Sequence, residues 1–172
     1  MSTAIASPAA APLGDATRER FAREVAKYPA DQAQSAVMAC LSIVQQEQGW
    51  VSPASEKAVA DYLGMPVMAV HEVTTFYNMY NQKPVGRFKL NVCTNAPCMF
   101  AGGPEALRHL CGKLGVEPYG TTADGQFTVQ PSECLGACGD APVMLVNDRH
   151  MCSFMSNDKL DQLVDGFRQA ED

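Results

Sequence analysis

The sequence predicts an α+β chain in which a bundle of short helices precedes a small mixed sheet flanked by helices. Three observations predict it. Apolar residues recur at helical spacing through residues 16–80, and the period changes to two at Phe88. Two short-spaced cysteine pairs, Cys93/Cys98 and Cys134/Cys138, then fall on loops in the second half. Asn81-Gln82-Lys83-Pro84-Val85-Gly86 is the natural boundary. The expected organisation is a tail over 1–15, disordered or pinned by a partner, a helical bundle over 16–80, a linker over 81–86 and a second domain over 87–172.

In the first half, Phe21, Val25 and Tyr28 share one helical face before Pro29 interrupts. Val37, Cys40, Leu41 and Val44 repeat at helical spacing until Gly49. Ser52-Pro53 reads as a cap followed by a first-turn proline, with Val59 and Leu63 facing inward before Gly64. Met65-Pro66 opens a further helix with Val70, Val73, Thr74 and Tyr77 along one side. Four short helices joined by short loops predict a small bundle. Thr75-Phe76-Tyr77 either closes its core or forms a docking face.

In the second half, Phe88, Leu90 and Val92 alternate with Lys89 and Asn91, and this strand runs into Cys93. Gly102-Gly103-Pro104 starts a helix with Leu107, Leu110, Cys111 and Leu114 on its apolar face, ended by Gly115. A strand around 127–130 leads to the second cysteine loop. Val143–Val146, a turn at Asn147-Asp148 and a return strand over 149–152 follow. Ser156 caps a last helix, with Asp158 in its first turn and Leu160, Leu163, Val164 and Phe167 on its inner face. Strand, helix, strand, hairpin, helix is the plan of a thioredoxin-like domain. Such domains place a cis proline before a strand, which predicts a cis bond at Ala141-Pro142.

Bulk properties exclude several classes. The 172 residues carry a formal charge of -6, are 47% hydrophobic and 19% charged, and contain no Lys/Arg cluster. These are globular values that argue against a nucleic-acid surface. No apolar run approaches the ~20 residues a membrane span needs. The first fifteen residues contain neither Lys nor Arg, unlike a secretory signal or an Arg-rich transit peptide. In the absence of an export signal, seven cysteines point to metal or redox chemistry rather than a disulfide framework.

Four of those cysteines form C-x4-C and C-x3-C pairs, with 35 residues from 99 to 133 between them. Four thiolates complete a [2Fe-2S] cluster, two on each iron. Gly136 and Gly139 let backbone N–H groups approach sulfur, Pro97 stiffens the first loop, and Gly102-Gly103 brings a helix N-terminus close. Met99 and Phe100 either shield the centre from water or anchor the loop. Two alternatives stay open on spacing. Paired cysteines also bind structural zinc, giving an interaction module without a redox role. The first pair also occupies the turn where thioredoxins keep a C-x-x-C dithiol. Cys40, Cys111 and Cys152 read as core residues, as do Met144, Met151 and Met155. His71, His109 and His150 have no ligand-spaced neighbour.

The stretches VCTNAPC, ECLGACGDAPVMLVND and TTADGQFTV, with YPADQAQSAVMACLSIVQQEQGWVS and VHEVTTFYNMYNQKPVGRFKL, resemble the thioredoxin-like [2Fe-2S] subunits of the NADH dehydrogenase module of respiratory complex I. The resemblance covers about residues 20–170. It implies a helical bundle followed by a thioredoxin-like [2Fe-2S] ferredoxin domain, with Cys93, Cys98, Cys134 and Cys138 as cluster ligands. It also implies an electron-transfer subunit of NADH:quinone oxidoreductase, with no complete active site of its own. The partner would be a flavoprotein carrying NADH and FMN, alongside other peripheral-arm subunits, on the cytoplasmic side of the bacterial inner membrane. Corresponding subunits of NAD-dependent formate dehydrogenases and NAD-reducing hydrogenases share the pattern.

Overall fold

The computed structural model describes residues 13–169, and the chain divides into two compact units between Pro84 and Val85. Of the expected tail, residues 1–12 lie outside the described residues, and helix α1 begins at Asp15.

The first unit is helical: α1 (Asp15–Val25), a 3-10 turn (Ala33–Ala36), α2 (Val37–Gln48), α3 (Pro53–Leu63) and α4 (Val67–Phe76). The chain stops α1 earlier than its apolar spacing predicts. Tyr28 lies beyond the helix and is exposed, because the residue before a proline is disfavoured in helical geometry. Gly49 and Gly64 end α2 and α3 in left-handed conformations, and the Ser52 hydroxyl accepts the Ser55 N–H at 3.1 Å. Phe21, Cys40, Leu41, Val44, Val59 and Val70 form the core, with Tyr62 edge-on to Phe21 at 5.1 Å. Val70 and Thr74 of α4 are buried, whereas Tyr77 is exposed and Phe76 is 80% exposed. Thr75-Phe76-Tyr77 therefore does not close this core.

The second unit holds a five-stranded sheet of order β2-β3-β1-β4-β5, comprising β1 (Phe88–Cys93), β2 (Gly120–Thr121), β3 (Phe127–Ser132), β4 (Met144–Val146) and β5 (His150–Cys152). β1 pairs with β3 in parallel, and every other pairing is antiparallel. Helix α5 (Ala96–Phe100) and helix α6 (Gly103–Leu114) make the crossover between β1 and β3, and α7 (Asn157–Gln169) closes the unit. Leu90, Val92, Phe127 and Val129 from the sheet meet Ala106, Leu110 and Leu114 of α6 and Leu160 and Val164 of α7. Phe167 stacks on Phe88 with ring centroids 4.1 Å apart.

The polar positions of β1 are buried too. Lys89 is 2% exposed with Nζ 2.6 Å from the Asp148 carboxylate, and Asn91 Nδ2 donates to Asp148 Oδ1 at 2.7 Å. Asp148 comes from the hairpin turn, where Asn147 and Asp148 take φ of 52° and 55° and Arg149 N–H donates to Val146 O at 3.1 Å, a type I′ geometry. Met144 and Met155 lie in the core, but Met151 is exposed, because its position alternates to the outer side of edge strand β5. The Ala141-Pro142 bond is cis, as expected from its place before β4. No helix among the described residues is long and apolar enough to cross a membrane.

Candidate metal centre

Parallel pairing of β1 with β3 delivers both cysteine loops to the same end of the sheet. Cys93 is the last residue of β1, and its N–H donates to Val143 O at 3.1 Å. Thr94 N–H donates to Ser132 O at 3.1 Å, so the strand exit is held from both sides. The Asn95 side chain accepts the Ala96 N–H at 2.9 Å and starts α5, which carries Pro97 in its first turn and Cys98 on its inner side. Cys93 and Cys98 are 2% and 1% exposed.

Cys134 follows β3, and its loop turns at Gly136 with φ of 77°. That left-handed conformation lets Gly136 N–H donate to Cys134 Sγ at 3.4 Å. Cys138 opens a 3-10 turn over Cys138–Asp140, and both cysteines of this pair are exposed. The turn is tied to the segment after β5, since Asp140 O accepts Phe154 N–H at 2.8 Å and the Asp140 carboxylate accepts Ser153 Oγ at 2.8 Å.

The loops meet. Cys93, Cys98 and Val143 pack with Leu135, Ala137 and Ala141 in one small cluster. Asn95 Nδ2 donates to Glu133 Oε2 at 2.7 Å, joining the residue before α5 to the residue before Cys134. The thiols also influence one another electrostatically across the loops. Burial pushes the Cys98 thiol up, a backbone hydrogen bond from Val143 opposes this, and Cys93 and Cys138 add to it. Cys138 is pushed up first by its hydrogen bond with Cys134 and also by Cys93. Thiols crowded in this way resist ionising together, and a bound cation relieves that repulsion.

The donor set fits a two-iron centre. Cys134 and Cys138 Sγ are 3.8 Å apart. Two thiolates on one tetrahedral metal ion at ~2.3 Å are separated by ~3.8 Å. Among the described residues, no three His, Cys, Asp or Glu side chains close on a single ion position. Cys93 and Cys98 likewise interact side chain to side chain, and two such pairs of thiols suit the two-on-each-iron distribution of a [2Fe-2S] centre.

The other three cysteines lie elsewhere. Cys40 sits in the core of the first unit, where burial and Glu24 push its thiol up to about 12. Cys111 packs on the flank of the second core, and Cys152 lies in edge strand β5. Met99 and Phe100, just past Cys98, are both exposed, Phe100 to 86%. His71 and His109 do have partners, Glu56 at 3.0 Å and Asp161 at 2.8 Å, that sequence spacing concealed. Sequence reading also missed the Asn95–Glu133 tie, which joins side chains 38 positions apart.

The family described as thioredoxin-like [2Fe-2S] ferredoxin matches residues 21–168. An E-type NADH-quinone oxidoreductase subunit of Rhizobium meliloti (strain 1021) is 40% identical over 154 residues, covering 90% of each chain. NADH-quinone oxidoreductase subunit 2 of Thermus thermophilus is 38% identical over 146 residues, covering 85% of this chain and 81% of its own. Among solved structures, a chain of NAD+-reducing [NiFe]-hydrogenase in the H2-reduced state has the same fold, with a TM-score of 0.67 and 21% identity. That match covers 78% of this chain, which spans only 22% of the hydrogenase chain. Nearly full-length agreement with the curated relatives, on a sheet that brings both cysteine loops together, establishes that this chain belongs to the thioredoxin-like [2Fe-2S] ferredoxin family.

Proposed function

We propose that this chain carries one [2Fe-2S] cluster on Cys93, Cys98, Cys134 and Cys138 and serves as an electron-transfer subunit of an NADH-quinone oxidoreductase. The observation that carries this reading is the convergence of two cysteine pairs in a chain 40% identical, over 90% of both lengths, to a subunit of such an enzyme. The chain is one component of an oxidoreductase assembly. We infer that its immediate partner is a flavoprotein binding NADH and FMN, alongside other peripheral-arm subunits, on the cytoplasmic side of the bacterial inner membrane.

When bound, the cluster supplies a one-electron store whose potential depends on charge, hydrogen bonds to sulfur and exposure. The chain's own residues set those conditions. Cys93 and Cys98 are buried against Val143, Leu135, Ala137 and Ala141, which keep water from the inner side. Gly136 N–H points at Cys134 Sγ, and the Val143 backbone supplies a hydrogen bond to Cys98. Both donors stabilise negative charge on sulfur. Cys134 and Cys138 sit on the open side, where an electron-exchange partner can approach.

Chemical analysis of anaerobically isolated protein tests this reading. Iron and acid-labile sulfide in equal amounts are expected, in a brown protein that dithionite bleaches to a paramagnetic state. Colourless protein holding zinc without sulfide overturns the assignment. Isolation of the native complex then identifies the assembly: quinone-reducing membrane subunits are expected, whereas a formate- or hydrogen-oxidising subunit assigns the chain to one of the related NAD-linked enzymes.

A further inference from the structure

The two cysteine pairs differ in what can reach them. Cys93 and Cys98 are buried, Cys93 at a strand end and Cys98 inside a helix, whereas Cys134 and Cys138 are exposed on one loop with their sulfurs 3.8 Å apart. A disulfide needs ~2.05 Å between sulfurs, so the outer pair must close by ~1.8 Å. The loop can supply that movement. Gly136 and Gly139 lie between and beside the two cysteines, a Cβ at either would meet nothing within 4 Å, and Gly136 is already left-handed.

We propose that, in the chain without its cluster, Cys134 and Cys138 form a redox pair that a small-molecule disulfide closes to a bridge, and that this bridge blocks cluster loading while Cys93 and Cys98 stay reduced. The inference rests on the proposed ligand set. In the first step one outer thiolate attacks the small disulfide, whose S–S bond breaks and releases one thiol. In the second, the other outer thiolate attacks the protein sulfur of the mixed disulfide and releases the second thiol. The two cysteines lose two electrons, the small disulfide gains them, and the two cysteine protons leave on the released thiols. The bridge removes two of the four proposed ligands, and a reductant restores them.

The test uses the full chain freed of iron and kept reduced, treated with oxidised glutathione and digested without reductant. The expected product has lost two hydrogens in mass, links the Cys134 and Cys138 peptides, and leaves Cys93 and Cys98 open to alkylation after denaturation. Cys138→Ser and Cys134→Ser chains are expected to stop at a retained glutathione adduct on the remaining outer cysteine. Iron and sulfide uptake should be lost in the oxidised chain and recovered after dithiothreitol. A bridge that includes Cys93 or Cys98, the absence of any bridge, or equal uptake by oxidised and reduced chains overturns the proposal. Failure of the reduced chain to take up iron and sulfide instead overturns the ligand assignment, so the two failures read differently.

Discussion

At Gly103 one missing methyl group lets α6 begin where it does. A Cβ there would lie 2.4 Å from Cys93 O and 2.9 Å from Cys98 O, both closer than real contacts allow. The backbone carbonyls of the inner pair thus bear directly on the first turn of α6. Gly103→Ala is expected to cost ~1–3 kcal/mol in denaturant unfolding, as overpacking does, and to change the electron paramagnetic resonance spectrum of the reduced protein. Gly112→Ala is the control on the same helix, because a Cβ there meets nothing. It should be neutral or stabilising by up to ~1 kcal/mol, and an unaltered spectrum in both variants would remove Gly103 from the site. The cysteines divide in the same manner. Cys134→Ser or Cys138→Ser should lose or severely alter the visible spectrum, while Cys111→Ser should keep it, and a normal spectrum in either loop variant contradicts the ligand assignment. Cys40, its thiol held neutral up to about 12 by burial, should resist iodoacetamide at pH 8 in the native protein and react once unfolded in urea.

Between elements, α6 and α7 are joined by charge as well as by their apolar faces. Asp161 of α7 lies 2.8 Å from His109 Nε2 and 3.2 Å from Lys113 Nζ, and Lys113 also reaches Asp165 at 3.0 Å. The His109 hydrogen bond, followed by Lys113, holds the Asp161 carboxyl below the usual range. A depressed carboxylate contributes stability above its unfolded value, near ~3.9, and loses it as pH falls through the lower folded value. Melting temperatures should therefore fall below about pH 4, and Asp161→Asn should flatten that decline, the group being too exposed for a large effect. Equal acid sensitivity in both proteins would show that the contact contributes nothing. These ties join residues 48 or 52 positions apart and could not be read from spacing. What was legible was local. The Gly49 and Gly64 stops, the Ser52-Pro53 start, the β1 alternation and the glycine-bearing cysteine loop each announce themselves within a few residues. Helix α5, five residues long, and β2, two residues long, are too short to show a period. Lys89 looked like the solvent side of an alternating strand because its partner Asp148 arrives only with the distant hairpin.

Across the molecule, all four proposed ligands lie in the second unit, and they divide it into long chain segments. Cys98 and Cys134 are separated by the whole of α6, β2 and β3, so a centre gripping both pairs closes a loop with 35 residues between its ends. By chain entropy, a link across ~40 residues removes ~3–4 kcal/mol from the unfolded ensemble, and a metal clip acts by the same argument as a disulfide. A bridge confined to Cys134 and Cys138 closes only a few residues and leaves the long loop open. The clip should therefore be visible in hydrogen exchange. Removing iron with a chelator under reducing conditions should raise exchange in the best-protected amides of β1, α6 and β3 by about two to three powers of ten, the same free energy read as a rate. Amides that exchange through local opening rather than global unfolding should change little. Equal protection with and without iron would mean that the pairs do not grip a common centre, because a shared centre must tie Cys98 to Cys134 whatever its metal.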